Sequence, residues 1–176
     1  MSDNKPTFDL NDHTYRLLES EPFFASLSRR INKKLTKSIP TAGVRVTDEG
    51  QFEMVYNPDF FESLTVKQRS GVLKHEFYHL IFEHVTGRLP EEGMTKKWNF
   101  ATDLAINSHL RGELPEGALI PGEGHFADMP VGKSAEWYFA NLPDGEEGEG
   151  EGNEGGGNQG EGEEGEGQGS GGGEGQ

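Results

Sequence analysis

Before residue 143 the apolar positions recur mostly at helical spacing, so the chain reads as mainly helical with one interruption. After a frayed start over residues 1–8, a first helix begins near Asn11 and carries Tyr15, Leu17 and Leu18. Glu21-Pro22 ends it, and Pro22 suits the first turn of a second helix, where its missing N–H would have no partner in any case. That second helix is expected to reach about Lys37. It would place Phe23, Phe24, Leu27, Ile31 and Leu35 on one face and Arg29, Arg30, Lys33, Lys34 and Lys37 on the other. Over residues 43–57 the period changes to two. Val44 and Val46, a turn at Asp48-Glu49-Gly50, then Phe52, Met54 and Tyr56 predict a β-hairpin that Asn57-Pro58 terminates.

Thr65 and Gln68 have capping-box spacing ahead of a helix expected to extend to about Val85, with Gly87 and Pro90 closing it. A further helix is predicted from about Lys97 to Leu110, followed by a Gly/Pro-rich stretch over 111–132 and a short helix near 134–141 capped by Ser134. The fold class is therefore α+β: a mainly helical domain over residues 1–143 with a small β-hairpin or sheet.

Composition changes this picture only at the end of the chain. The 176 residues include 31 acidic and 16 basic side chains, for a net charge of −15. Residues 144–176 hold 11 of the acidic side chains, none of the basic ones and 16 glycines, so residues 1–143 carry only −4. Such a segment has nothing to bury and is expected to be a disordered acidic tail. The absence of cysteine excludes a disulfide framework, thiolate metal ligation and a thiol nucleophile. No apolar run suits a signal peptide or a membrane span, which predicts a cytoplasmic protein with no membrane partner. The acidic balance argues against nucleic acid as a partner, since that affinity comes mainly from neutralising phosphates.

Candidate chemistry concentrates on the helix after Thr65, which reads His75-Glu76-Phe77-Tyr78-His79, or H-E-x-x-H. A four-residue spacing is about 6 Å of helix rise, so both imidazoles share a face and can hold one metal ion. Glu76 is turned about 100° from His75, where a general base for a metal-bound water should stand. Leu73, Phe77, Leu80, Ile81 and Val85 cover one side of this helix, and buried histidines there need partners. A zinc site needs a third protein ligand. Asp103 is favoured, because Asn99, Asp103 and Asn107 form a polar stripe on an otherwise apolar helix. His84 is the alternative, but on an unbroken helix it lies about 180° from His75. Tyr56, His109 and His125 are alternatives for an oxyanion-stabilising group.

The sequence His75-Glu76-x-x-His79, with His84 and Arg88, then Trp98-Asn99-x-Ala101-x-Asp103-x-Ala105-x-Asn107 and Ser134-Ala135-Glu136-x-Tyr138, resembles a known family. It is similar to the metallopeptidase domain that precedes von Willebrand factor A-like domains in bacterial and phage proteins, some of them linked to MoxR-type ATPases. The likeness covers roughly residues 10–142. It implies a zincin-like fold, Zn2+ held by His75, His79 and Asp103, Glu76 as catalytic acid/base, a protein or peptide substrate, and a MoxR-type ATPase as a partner. After residue 143 the acidic tail stands where the A-like domain would follow. Two functions fit these residues: a zinc metallopeptidase, or a non-catalytic module that zinc stabilises and that binds a partner through the tail.

Overall fold

The structure, a computed structural model, describes residues 8–143. The tail expected over 144–176 and the start over 1–7 lie outside the described residues, as does the side chain of Leu18. Helix α1 spans Leu10–Ser20, with the Asp9 side chain accepting from the Asn11 amide at its N-terminus. Phe8 departs from the frayed start expected there. Its ring is buried and stacks on Phe61 at 5.0 Å, because a large apolar side chain beside a core gains more from burial than its backbone loses on ordering.

Helix α2, Pro22–Ser28, stops well short of Lys37, and Asn32–Leu35 forms strand β1. Continuing the helix would have stacked Arg29 on Lys33, Arg30 on Lys34 and Lys33 on Lys37, each a like-charge pair one turn apart. Leaving the helix instead buries Ile31 and lets residues 32–35 pair with an open strand edge. Strands β2 (Ala42–Val46) and β3 (Phe52–Tyr56) form the hairpin, turning through Gly50 at φ 76°. The strand order is β1-β3-β2, with β1 parallel and β2 antiparallel to β3. The register sets Val44 against Met54 and Ala42 against Tyr56 on the inner face, while Arg45 and Glu53 form an ion pair outside. Asn57 then caps a six-residue helix, α3 (Pro58–Ser63), so the Asn-Pro pair that ends the hairpin also starts a helix.

Helix α4 runs Val66–Ile81, opened by the Thr65/Gln68 capping box; α5 runs Lys96–Asn107 and α6 runs Ala135–Asn141, capped by Thr95 and Ser134. A 3-10 turn lies at Gly124–Phe126. Two apolar cores result. The first gathers α1, α2, the sheet, α3 and the Leu73/Phe77/Leu80 face of α4; the second gathers Trp98, Leu104 and Ala105 of α5 with Tyr138 of α6. The α4–α5 seam lies where the two cores adjoin. Among the described residues no helix is long and apolar enough to cross a membrane.

Helix α4 ends four residues before the expected Val85. The His84 amide bonds to the His79 carbonyl at 2.9 Å and the Glu83 amide to the Leu80 carbonyl at 3.2 Å, which is a Schellman termination. Glu83 holds its left-handed position at φ 58° without being glycine. Trp98 Nε1 donates to the His84 carbonyl, and Arg88 reaches both the Phe82 carbonyl and the Glu136 carboxylate, fastening this turn to α5 and α6.

Candidate metal centre

The buried face of α4 that looks across the seam is polar. His75 and His79, one turn apart, bring their Nε2 atoms to 3.1 Å of each other, with ring planes at 77°. From α5, Asp103 Oδ1 lies 3.4 Å from His75 Nε2 and 3.3 Å from His79 Nε2. The structure thus brings together His75, His79 and Asp103, which sit in buried positions and have the spacing to hold a metal ion. Asp103 Oδ1 has no aligned hydrogen-bond donor despite these short separations. Three acceptor atoms so close repel unless a proton or a cation lies among them. The edge of a tetrahedron around a metal with bonds of about 2.0–2.1 Å is about 3.3–3.4 Å, so the donor set and its triangle fit a small divalent ion such as zinc.

Electrostatics follows from burial and proximity. Burial alone would lower the His75 imidazole, but the Asp103 carboxylate close beside it, with help from Glu76 and Asn107, outweighs burial and raises its pKa to about 9. Burial would raise the Asp103 carboxyl, yet the two imidazoles beside it hold it below the ordinary carboxylate range.

Glu76 is 1 % exposed, and its Oε1 has no hydrogen-bond partner. Burial raises its pKa, against the opposing charges of His75 and His79 and with a further push from Asp103. A small pocket reaches Glu76, His75 and Asn107 between Phe60 and Val72 on one side and Leu114, Pro115 and Glu116 on the other. The 113–118 segment is drawn onto α4 at Gly71, where a Cβ would come within 2.1 Å of the Glu113 carbonyl oxygen. Lys74 holds it there through Glu113 at 2.5 Å and also reaches Glu21 at 3.2 Å.

His84 is buried but stands outside the acceptor triangle. Its ring contacts His79 at 5.5 Å and lies beside Phe82 and Trp98, the position that the Schellman termination gives the second residue past the helix. Burial and the nearby charges of His79 and Arg88 lower its pKa to about 3. The ring contacts and exposure of the three oxyanion alternatives involve none of the triangle's residues. Tyr56 packs on Phe8 and Phe61, His109 is exposed beside Tyr78 and Phe82, and His125 is exposed in the 3-10 turn. The residue that sequence reasoning left without a role is Asn107. Its Oδ1 lies 2.7 Å from His75 Nδ1, and the i, i+4 stripe with Asp103 was the signal for it. The covering segment 113–118 carried no such signal.

A family model described as "Putative metallopeptidase domain" matches residues 7–176. A protein of Thermotoga maritima described as "Uncharacterized protein" is 22% identical over 113 residues, covering 62% of this chain and 28% of that relative. The chain thus spans less than a third of the length of the curated relative it matches. No solved structure matches it.

Proposed function

The chain belongs to this metallopeptidase-domain family, and on that premise we propose that it is a zinc-dependent hydrolase of peptide bonds. The observation that carries the reading is the buried triangle of His75 Nε2, His79 Nε2 and Asp103 Oδ1, with Glu76, whose Oε1 has no hydrogen-bond partner, on the adjoining face of the same helix. These three residues are the ligands. A bound zinc ion supplies Lewis acidity and lowers the pKa of water it holds. Glu76 is the general base: its raised pKa suits an oxygen that takes a proton from the attacking water and returns it to the departing amine. Strand β2, at an edge of the sheet and packed against α4, is the edge on which an extended peptide pairs.

By family resemblance the substrate is a protein or peptide, a MoxR-type ATPase is a partner, and the setting is the cytoplasm of a bacterium or phage-infected cell. The domain is zincin-like over residues 1–143, followed by the acidic tail. A second reading has one observation in its favour. His75, Glu76, His79 and Asp103 are each no more than 7 % exposed, which suits an ion that staples two cores without meeting a substrate.

Elemental analysis of protein purified without chelator tests the metal. One zinc per chain is expected in the wild type and in Glu76→Gln, and loss in Asp103→Ala; wild type without metal overturns both readings. Peptide hydrolysis tests the base. Glu76→Gln should lower turnover about 10²- to 10⁴-fold with zinc retained. Zinc-loaded wild type that hydrolyses no better than Glu76→Gln establishes the stapled module instead.

A further inference from the structure

We propose that Asn107 is a positioning residue that fixes which nitrogen of His75 faces the metal, and that it takes its own orientation from the loop that follows α5. The proposal rests on the metal reading above and goes beyond it. The chain of atoms begins at a group with no choice of role. The Leu119 carbonyl oxygen can only accept, and Asn107 lies 2.8 Å from it through Nδ2, so the amide nitrogen is turned toward Leu119. Its Oδ1 must then point the other way, and it meets His75 Nδ1 at 2.7 Å. An amide oxygen only accepts, so Nδ1 carries the proton. In the neutral imidazole that leaves Nε2 as a bare lone pair, aimed at His79 Nε2 and Asp103 Oδ1.

The reverse orientation fails at both ends. It would set Oδ1 against the Leu119 carbonyl, acceptor to acceptor, and the amide N–H against Nδ1, leaving His75 to present an Nε2–H to the triangle. Asn107 is 2 % exposed, so bulk water does not stand in for either partner. Helix α5 therefore addresses both nitrogens of one imidazole. Asp103 meets Nε2, and Asn107, one turn later, meets Nδ1. Loss of such a partner of a metal-bound histidine typically costs 10- to 100-fold in metal affinity.

The test uses the full chain with zinc ion alone as ligand. Zinc affinity is measured by competition with a chromogenic chelator for wild type, Asn107→Ala and Asn107→Asp, and histidine-selective 15N NMR of the zinc-loaded protein reports which His75 nitrogen is protonated. Wild type should show Nδ1–H and a metal-bound Nε2. Asn107→Ala should bind zinc 10- to 100-fold more weakly. Asn107→Asp keeps an acceptor for Nδ1–H but turns its second oxygen on the Leu119 carbonyl, so it should recover only part of that loss; Asn107→Leu, measured beside it, keeps the volume without an acceptor and should recover none. Equal affinity in wild type and Asn107→Ala, or His75 bound through Nδ1, overturns the assignment while leaving the metal reading intact. Wild type that binds no zinc removes the metal reading and this role with it. Should Asn107→Ala not fold, the wild-type NMR pattern and the Asn107→Asp and Asn107→Leu affinities still decide.

Discussion

At the scale of single residues, His84 and His75 share a buried neighbourhood and meet opposite fates. Asp103 beside His75 makes its charged form welcome, whereas His84 faces aromatic rings and the charges of His79 and Arg88, and it stays neutral far below its ordinary range. An unfolded chain protonates His84 near pH 6.5, but the folded chain does so only near 3. The folded state then binds fewer protons than the unfolded one in that interval. The contribution is complete above about 6.5 and is lost as pH falls toward about 3. Metal-free wild type should therefore lose thermal stability more steeply from pH 6.5 to 4 than His84→Phe. Parallel melting curves by circular dichroism check this, and equal slopes would show that His84 does not titrate between the two states.

At the scale of elements, the contact between α4 and the 113–118 segment depends on one missing methyl group. Gly71→Ala forces the Glu113 backbone away from α4 and should cost about 1–3 kcal/mol. Chemical denaturation should show a lower midpoint with an unchanged slope. The same scale shows what could be read from sequence. Helices α1, α4, α5 and α6 and the hairpin announce themselves locally through apolar period, with caps at Thr65 and Ser134 marking the starts of α4 and α6. Strand β1 does not, because Ile31 and Leu35 stand at helical spacing and its pairing partner is some twenty residues away in β3. The end of α4 is also hidden. The apolar period runs on to Val85, and the left-handed turn falls on Glu83, where no glycine marks it. Helix α3 was masked by an Asn-Pro pair that reads equally as a stop or a start. The triangle of His75, His79 and Asp103 needed only two helical stripes facing each other, which period alone supplies. The partner of Nδ1 and the covering segment needed the loop's path.

At the scale of the whole molecule, two cores meet along a polar seam, and a bound ion would join α4 of the first to α5 of the second. Ligand that binds only the folded state adds about 2.7 kcal/mol at a hundredfold excess over its dissociation constant. Zinc should therefore raise the melting temperature, and hydrogen exchange should slow across α4 and α5 and much less in α1. Chelator should reverse both changes; uniform slowing throughout the chain, or none, would count against a seam-bridging ion. The grip of α5 on the two nitrogens of His75 has a last consequence. A slide of α5 along α4 by one residue, about 1.5 Å, would separate Asp103 and Asn107 from their nitrogens together. The imidazole is in that sense a vernier for the two helices, and its nitrogen resonances would record any slippage between them before either core had come apart.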